Sequence, residues 1–180
     1  QQFNARQRAR NFSMNEMASL INYARQNNKK VYLTLNTLLK NKETFDVADL
    51  LEQISVMNPD AVIIQDWGIY YLLKNYFPQL KIHASTQMGI HNSIGCNYAK
   101  NKGFERVVVA RELTFHELEH IAAQKQTELE LFIHGSLCYS MSGHCLFSSY
   151  LGGMSANRGM CKQPCRRMFS VSKEQHYLFS

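Results

Sequence analysis

Four of the five cysteines fall between Cys138 and Cys165, in the stretch CYSMSGHCLFSSYLGGMSANRGMCKQPC. Six residues separate Cys138 from Cys145, fifteen separate Cys145 from Cys161, and three separate Cys161 from Cys165. Thiolates bind soft and borderline metals, so a four-sulfur cage suits zinc or an iron–sulfur cluster. Gly143, Gly152, Gly153 and Gly159 share the stretch, which reads as a loop able to wrap backbone closely around something compact. Other uses of cysteine fit less well. A free cysteine is often a small buried hydrophobe, but four in one glycine-rich loop do not look like core positions. Disulfides would need an oxidising compartment and would leave Cys96 over. Structural zinc takes cysteines in two tight pairs, and only Cys161 and Cys165 are that close. An iron–sulfur cluster tolerates more varied spacing and ranks ahead of zinc.

A loop of this kind needs a scaffold, and the preceding residues supply a repeat. β-forming runs begin at Val31, Ala61, Lys81, Arg106 and Leu129, one every 20 to 30 residues. Each gap holds a helical pattern. Ser13 with Glu16 and Thr114 with Glu117 form capping boxes. Met17, Leu20, Ile21 and Ala24 follow the first box at helical spacing. Val47, Leu50, Leu51 and Ile54 line one face of a helix over Phe45–Met57. Two more helices are expected over Gly68–Tyr76 and Asn92–Lys102. Phe115, Leu118, Ile121 and Ala122 form a stripe behind the second box. The strands are expected over Val31–Leu35, Ala61–Ile64, Lys81–Ala84, Arg106–Ala110 and Leu129–Ile133, with a further short one over Met168–Val171. Phe3 to Phe12 is too charged for a core element and reads as a loop. A βα repeat of this period predicts an α/β fold with a parallel sheet and right-handed crossovers, either a barrel or a doubly wound sheet.

In such folds the chemistry sits at the carboxyl ends of the strands. Each expected strand ends in polar residues: Asn36 after the first, Gln65 and Asp66 after the second, His83, Ser85, Thr86 and Gln87 at the third, Arg111 and Glu112 after the fourth, and His134 after the fifth. We take His83, Gln87, Arg111, Glu112, His134 and Asp66 as candidate catalytic groups. Asn36, Ser85 and Thr86 are candidate substrate contacts. Each also has an ordinary structural role open to it: Asp66 and Asn36 as helix caps, Arg111 and Glu112 as an ion pair, either histidine as a hydrogen-bonded rim residue. The cysteine loop leaves the same rim directly after His134. GxSxG and P-loop motifs are absent from the sequence.

The run Glu130-Leu-Phe-Ile-His-Gly-Ser-Leu-Cys138, then Ser142-Gly-His-Cys145, then Asn157-Arg-Gly-Met-Cys161-Lys-Gln-Pro-Cys165-Arg resembles the signature of the collagenase-like peptidase family U32. The resemblance extends back through His83-Ala-Ser-Thr-Gln87 and Arg111-Glu112 to Phe3-Asn-Ala-Arg6, nearly the whole chain. It implies a TIM-like barrel, of which residues 1–135 would be a part, followed by a cysteine-rich loop over 136–167 and the start of a further segment over 168–180. It also implies strands before Gln1 and after Ser180, since five strands cannot close an eight-stranded barrel. In many members of the family the cysteines hold a 4Fe-4S cluster, so Cys138, Cys145, Cys161 and Cys165 are the expected ligands. A preparation handled in air would be expected to lose the cluster or carry zinc instead. Relatives in the family take part in hydroxylating tRNA, ribosomal RNA or a quinone precursor, while its name points to a peptidase.

The composition bounds these readings. At 180 residues and 45% apolar content the chain can bury a core of its own. No apolar run approaches the roughly 20 residues of a membrane helix. The first ten residues are polar and arginine-rich, which is unlike a signal peptide, so a cytoplasmic location is expected. The net charge of +6 is uneven. Residues 1–40 carry seven Lys or Arg against Glu16, residues 156–180 carry five against Glu174, and the middle is acidic. Basic ends around a cysteine loop predict an anionic partner, with RNA, and tRNA in particular, the expected one; Arg166 and Arg167 are candidate phosphate contacts. A protein partner or electron donor is left open, as is the choice among RNA, protein and quinone-precursor substrates. Two function classes therefore stand side by side: a cluster-containing RNA hydroxylase and a collagenase-like peptidase.

Overall fold

A computed structural model describes residues 3–124, 127–171 and 174–176. The first unit is helix α1 (Met14–Gln26), then strand β1 (Tyr32–Leu35). Helix α2 (Thr44–Met57) leads to β2 (Ala61–Ile64), α3 (Trp67–Tyr76) to β3 (Ile82–Ala84), α4 (Ser93–Asn101) to β4 (Phe104–Val108), and α5 (Phe115–Ala123) to β5 (Glu128–Glu130). A short helix α6 (Phe147–Gly152) interrupts the cysteine-rich stretch, and β6 (Phe169–Val171) pairs antiparallel with β7 (Glu174–His176). The five-stranded sheet runs β1-β2-β3-β4-β5 with every pairing parallel.

Local chemistry explains the helix starts. Ser13 accepts from the Glu16 amide while Glu16 returns a bond to the Ser13 amide, and Thr114 with Glu117 repeats the device. Asp66 accepts from the amides of Gly68 and Ile69, and Asn92 from Gly95. Asn58 ends α2 in the left-handed conformation. Leu33, Leu35, Val62, Ile64, Ile82, Ala84, Val107 and Val109 alternate along the strands and join one buried cluster with Met17, Ile21, Val47, Leu51, Ile54, Ile69, Leu73 and Ile121 from the helices. Cys96 and Ala99 add the inner face of α4 to that cluster. The intervening strand positions, Tyr32, His83, Arg106, Glu128 and Glu130 among them, lie on the sheet's other face.

Four expectations are corrected. β5 stops after three residues instead of reaching Ile133, and Leu131, Phe132 and Ile133 lie exposed beyond it. Ladder bonding there depends on the register Arg106↔Glu128, Val107↔Leu129, Val108↔Glu130, which runs out with β4. β4 itself starts earlier, at Phe104, because the register shifts between Ile82 and His83. On α5 the buried stripe is narrower than expected: Ile121 is buried and Leu118 half-buried, while Phe115 is 83% exposed and Ala122 is exposed. Finally, Phe3–Phe12 is a loop, but its first residues are not surface: Phe3 and Asn4 are buried.

Candidate functional site

The polar ends of the strands form a connected rim. Asn36 Nδ2 donates to Ser85 Oγ (3.4 Å), tying the end of β1 to that of β3. Ser85 Oγ also accepts from the Gln87 amide (3.2 Å), and Gln65 Nε2 donates to the Gln87 carbonyl (3.3 Å). Thr86 donates to the Val109 carbonyl at the end of β4 (3.0 Å). Asp66 is occupied by main chain on both oxygens: Oδ1 caps α3, and Oδ2 accepts from Leu39 (3.0 Å). Ser85 is buried, and the Gln87 side chain is half-buried.

The cysteine-rich segment is fastened to this rim at two places. At the first, Arg111 donates to the carbonyls of Ser140 (3.0 Å) and Cys138 (3.4 Å) and to Ser142 Oγ (3.2 Å). Glu112 Oε1 accepts from the Ser142 amide (2.7 Å). Its Oε2 lies 3.3 Å from His91 Nε2, and His91 Nδ1 donates to the Gly89 carbonyl (2.5 Å). Ser142 is fully buried, and Gly143 has φ +76° with no room for a Cβ, which would overlap the Gln87 carbonyl. At the second place, Arg158 forks onto Glu43, with Nη1 2.9 Å from Oε2, and donates to the Leu38 carbonyl (2.8 Å). The Leu38 amide donates to Asn157 (3.1 Å). Gly159, also at positive φ, packs its Cα against the Asn4 carbonyl. Asn4, in turn, belongs to a loop that Asn36 holds through the Ala5 amide (2.9 Å). The motif halves far apart in sequence, Phe3-Asn-Ala-Arg6 and Asn157-Arg-Gly, thus meet at one end of the sheet.

The charges follow this geometry. Arg158 beside Glu43 holds that carboxyl down to about 2, despite some burial. Burial opposes ionisation of Glu112, but the Ser142 amide, the Ser142 hydroxyl and Arg111 outweigh it and lower its carboxyl. Burial likewise opposes ionisation of Cys138, and the bonds from Arg111 and the Ser140 amide overcome it, leaving the thiol below its ordinary value. Cys165 moves the other way, raised by burial and then by the negative charges of Cys138 and Cys161. Three of the four thiols are therefore within electrostatic reach of one another. Cys161 Sγ accepts from the Gln163 amide (3.3 Å), the kind of bond that tunes ligating sulfurs. Among the described residues no three His, Cys, Asp or Glu side chains are drawn in to metal-ligand spacing. The donor chemistry suits a soft metal group; Cys145 is half-buried on the same segment. Cys96 is apart from this, buried in α4 with its thiol pushed up by burial.

The two candidate histidines differ in burial. His83 is 4% exposed in the middle of β3, against the Tyr32 ring (4.8 Å between centroids). Burial, and then Arg106, keeps its imidazole neutral to lower pH than usual, and its Nδ1 has no partner among the described residues. His134 is exposed on the stretch after β5. Arg166 donates to the Leu137 carbonyl (2.9 Å) and lies over Tyr139, bracing the entrance to the cysteine stretch, while Arg167 is exposed.

A family model described as peptidase family U32 matches residues 1–180. The chain belongs to peptidase family U32. Its relatives include an uncharacterized protease of Methanocaldococcus jannaschii, 38% identical over 180 residues, covering 97% of this chain and 44% of the relative. A 23S rRNA 5-hydroxycytidine C2501 synthase of Escherichia coli is 36% identical over 173 residues, covering 96% and 26%. A tRNA hydroxylation protein P of the same organism is 33% identical over 172 residues, covering 95% and 38%. The chain spans less than half the length of each. A solved U32 peptidase superposes with a TM-score of 0.56 at 14% identity, covering 71% of this chain and 54% of the other, a likeness of fold.

Several partnerships that build the site in this U32 chain escaped sequence reasoning. Ser142 and Arg158 stand in the motif runs, but nothing there names their partners Glu112 and Glu43; His91 and Glu43 are common residue types in no local pattern; and the partners lie up to 115 residues away. Only Gly143 and Gly159 carried a signal: a glycine beside a candidate ligand marks a backbone forced into close approach.

Proposed function

We propose that this U32 protein is an iron–sulfur enzyme that takes part in hydroxylating a pyrimidine of RNA, with a tRNA uridine as substrate. In this reading Cys138, Cys145, Cys161 and Cys165 hold a 4Fe-4S cluster. The observation that carries it is the Arg111 clamp: a cation at the end of β4 binds the main chain of the thiol-bearing segment and favours the thiolate of Cys138. Such a thiol is prepared to be a ligand, and it stands at the end of a parallel sheet where α/β enzymes keep their chemistry. The names of the rRNA and tRNA relatives supply the substrate class. We further propose that the five strands are an arc of a (βα) barrel completed by chain outside these residues, and that the protein acts in the cytoplasm.

When bound, the cluster would supply electron transfer or a binding point for an oxygen donor. The chain's own residues do the positioning. Arg111 and Glu112 hold the segment from Cys138 to Ser142 in one arrangement. Arg158 and Glu43 fix Gly159, two residues before Cys161. Gln87, with its carbonyl committed to Gln65 and its side chain half-buried on the rim, is the group we assign to contact the base. Asn36 and Ser85 keep the rim rigid beneath it. Converting C–H to C–OH adds one oxygen atom and takes two electrons from the base, so the proposal includes a co-substrate that gives the oxygen atom and is itself reduced by two electrons.

The test is mass spectrometry of RNA nucleosides from a strain lacking the gene. Loss of one hydroxylated pyrimidine from tRNA is the expected result; an unchanged nucleoside profile contradicts the reading. The alternative, a collagenase-like peptidase, draws on the protease name of the archaeal relative. It predicts gelatin cleavage by iron-free protein.

A further inference from the structure

Building on the RNA reading, we propose that the loop carrying Arg6, Arg8 and Arg10 is the phosphate-gripping surface that brings RNA to the cysteine site. The three side chains are exposed, and among the described residues none is within ion-pair distance of a carboxylate. Of the other strand and loop arginines, Arg106 is spent on Glu128 and Glu130, Arg158 on Glu43, and Arg111 and Arg166 on main-chain carbonyls, while Arg167 is exposed. That last bond moves the expected phosphate contact away from Arg166, whose guanidinium braces Leu137 and lies over Tyr139.

The arginine loop is stiff. Asn4 Oδ1 accepts from the Arg6 amide (2.8 Å), and Asn4 Nδ2 donates to Asn11 Oδ1 (3.1 Å). Asn11 Nδ2 faces the carbonyls of Arg6, Gln7 and Ala9, the closest at 2.8 Å. With Ala5 bonded to Asn36, the loop is anchored on the rim at its first end and tied across itself by Asn11, so three cations at alternate positions are presented without a large ordering cost on binding. Gly159 seats against Asn4 and Gln7, so the same loop touches the cysteine segment two residues from Cys161. Between loop and rim opens a cleft of about 350 Å³, lined by Gln7, Thr37, Lys42, Asp46 and the Arg158–Glu43 pair. Unpaired cations on a rigid loop are what the phosphates of a single-stranded or unstacked nucleic acid require.

The test is fluorescence anisotropy of the intact protein with an unmodified tRNA transcript, titrated over salt. Replacing Arg6, Arg8 and Arg10 with Gln should lower affinity at least tenfold. The log–log salt slope should fall by about 2, from about 0.7 per lost single-strand phosphate contact. The Lys replacements should restore the slope, and Lys29→Ala with Lys30→Ala, before β1, should leave it unchanged. The Arg8→Gln, Arg10→Gln pair repeats the measurement with Arg6 left in place, should the triple variant fold poorly. Iron content and the circular dichroism spectrum should match the wild type. If the wild type binds with a steep slope and the triple variant keeps it, the surface is wrong and the RNA reading stands. If the wild type with its iron in place shows no salt-dependent binding, both fall. Polyglutamate competing as well as tRNA overturns the assignment of the surface to RNA.

Discussion

β4 and the rim beyond it carry two arginines that the protein uses in opposite ways. Arg106, within the strand, is matched: Nη2 lies 2.7 Å from Glu128 and Nη1 3.2 Å from Glu130, with the Tyr32 ring beneath the guanidinium (5.0 Å) and buried His83 alongside. Arg111, past the strand end, bonds instead to neutral groups, the carbonyls of Cys138 and Ser140 and the Ser142 hydroxyl. Two carboxylates neutralise the first cation, whose remaining reach is to buried His83 beside it. Carbonyls leave the second with its charge, which then acts on Glu112 and on the Cys138 thiol, both lowered. An arginine that has spent its charge builds structure; one that has spent only its hydrogen bonds can build a site.

The comparison is broken or sharpened by substitution, beginning with the largest effect. Arg111→Ala should weaken cluster retention by roughly tenfold, in the range typical of groups that orient ligands, as read by iron and sulfide per mole of anaerobically purified protein. Arg111→Lys should recover only part, since an ammonium cannot fork across two carbonyls. Equal iron in Arg111→Ala and wild type would put Arg111 in the same class as Arg106. Next, Gly143→Ala should displace the segment, because its Cβ overlaps the Gln87 carbonyl and φ is +76°. Iron content should fall severalfold, with secondary structure intact by circular dichroism.

Arg106→Ala is the counterpart. It leaves Glu128 and Glu130 facing each other beside His83, so Tm should fall, by roughly 5 °C, while iron per folded molecule stays at the wild-type value. Loss of iron in proportion to Arg111→Ala would erase the distinction. The smallest effect concerns the second anchor and depends on pH. The Glu43 carboxyl sits at about 2 when folded against an ordinary 4.5, so the unfolded chain binds its proton first. The Arg158–Glu43 pair therefore stabilises fully above about pH 4.5 and loses that contribution as pH falls toward 2. Urea unfolding of wild type and Arg158→Ala should differ near neutrality and converge as pH falls through that window. A constant gap down to pH 2 would show that packing, not the ion pair, makes the difference.

Much of the scaffold was legible because its signals are local. The Ser13–Glu16 and Thr114–Glu117 boxes and the apolar run Ala61–Ile64 each state their structure within a few residues. β5 was misread because Leu131, Phe132 and Ile133 look like strand interior, and only tertiary context leaves them uncovered. The polar strand ends were visible as a set, but not their division of labour. The cap role open to Asp66 is the one it takes, but that its second oxygen is held by the Leu39 amide, or that His83 faces Tyr32, depends on side-chain direction and distant partners. The Arg158–Glu43 anchor joins positions 115 residues apart, and nothing near either residue announces the other.

The central claim is that the loop fastened by Arg111 carries one 4Fe-4S cluster. Its most direct test is iron and sulfide analysis, with the absorption spectrum, of protein purified without oxygen, for the wild type and for serine at each cysteine in turn. Serine at Cys138, Cys145, Cys161 or Cys165 should reduce or abolish the signal, and serine at the buried Cys96 should leave it in place. Stoichiometric zinc without sulfide in the wild type, or loss of the signal in Cys96→Ser alone, would contradict the account.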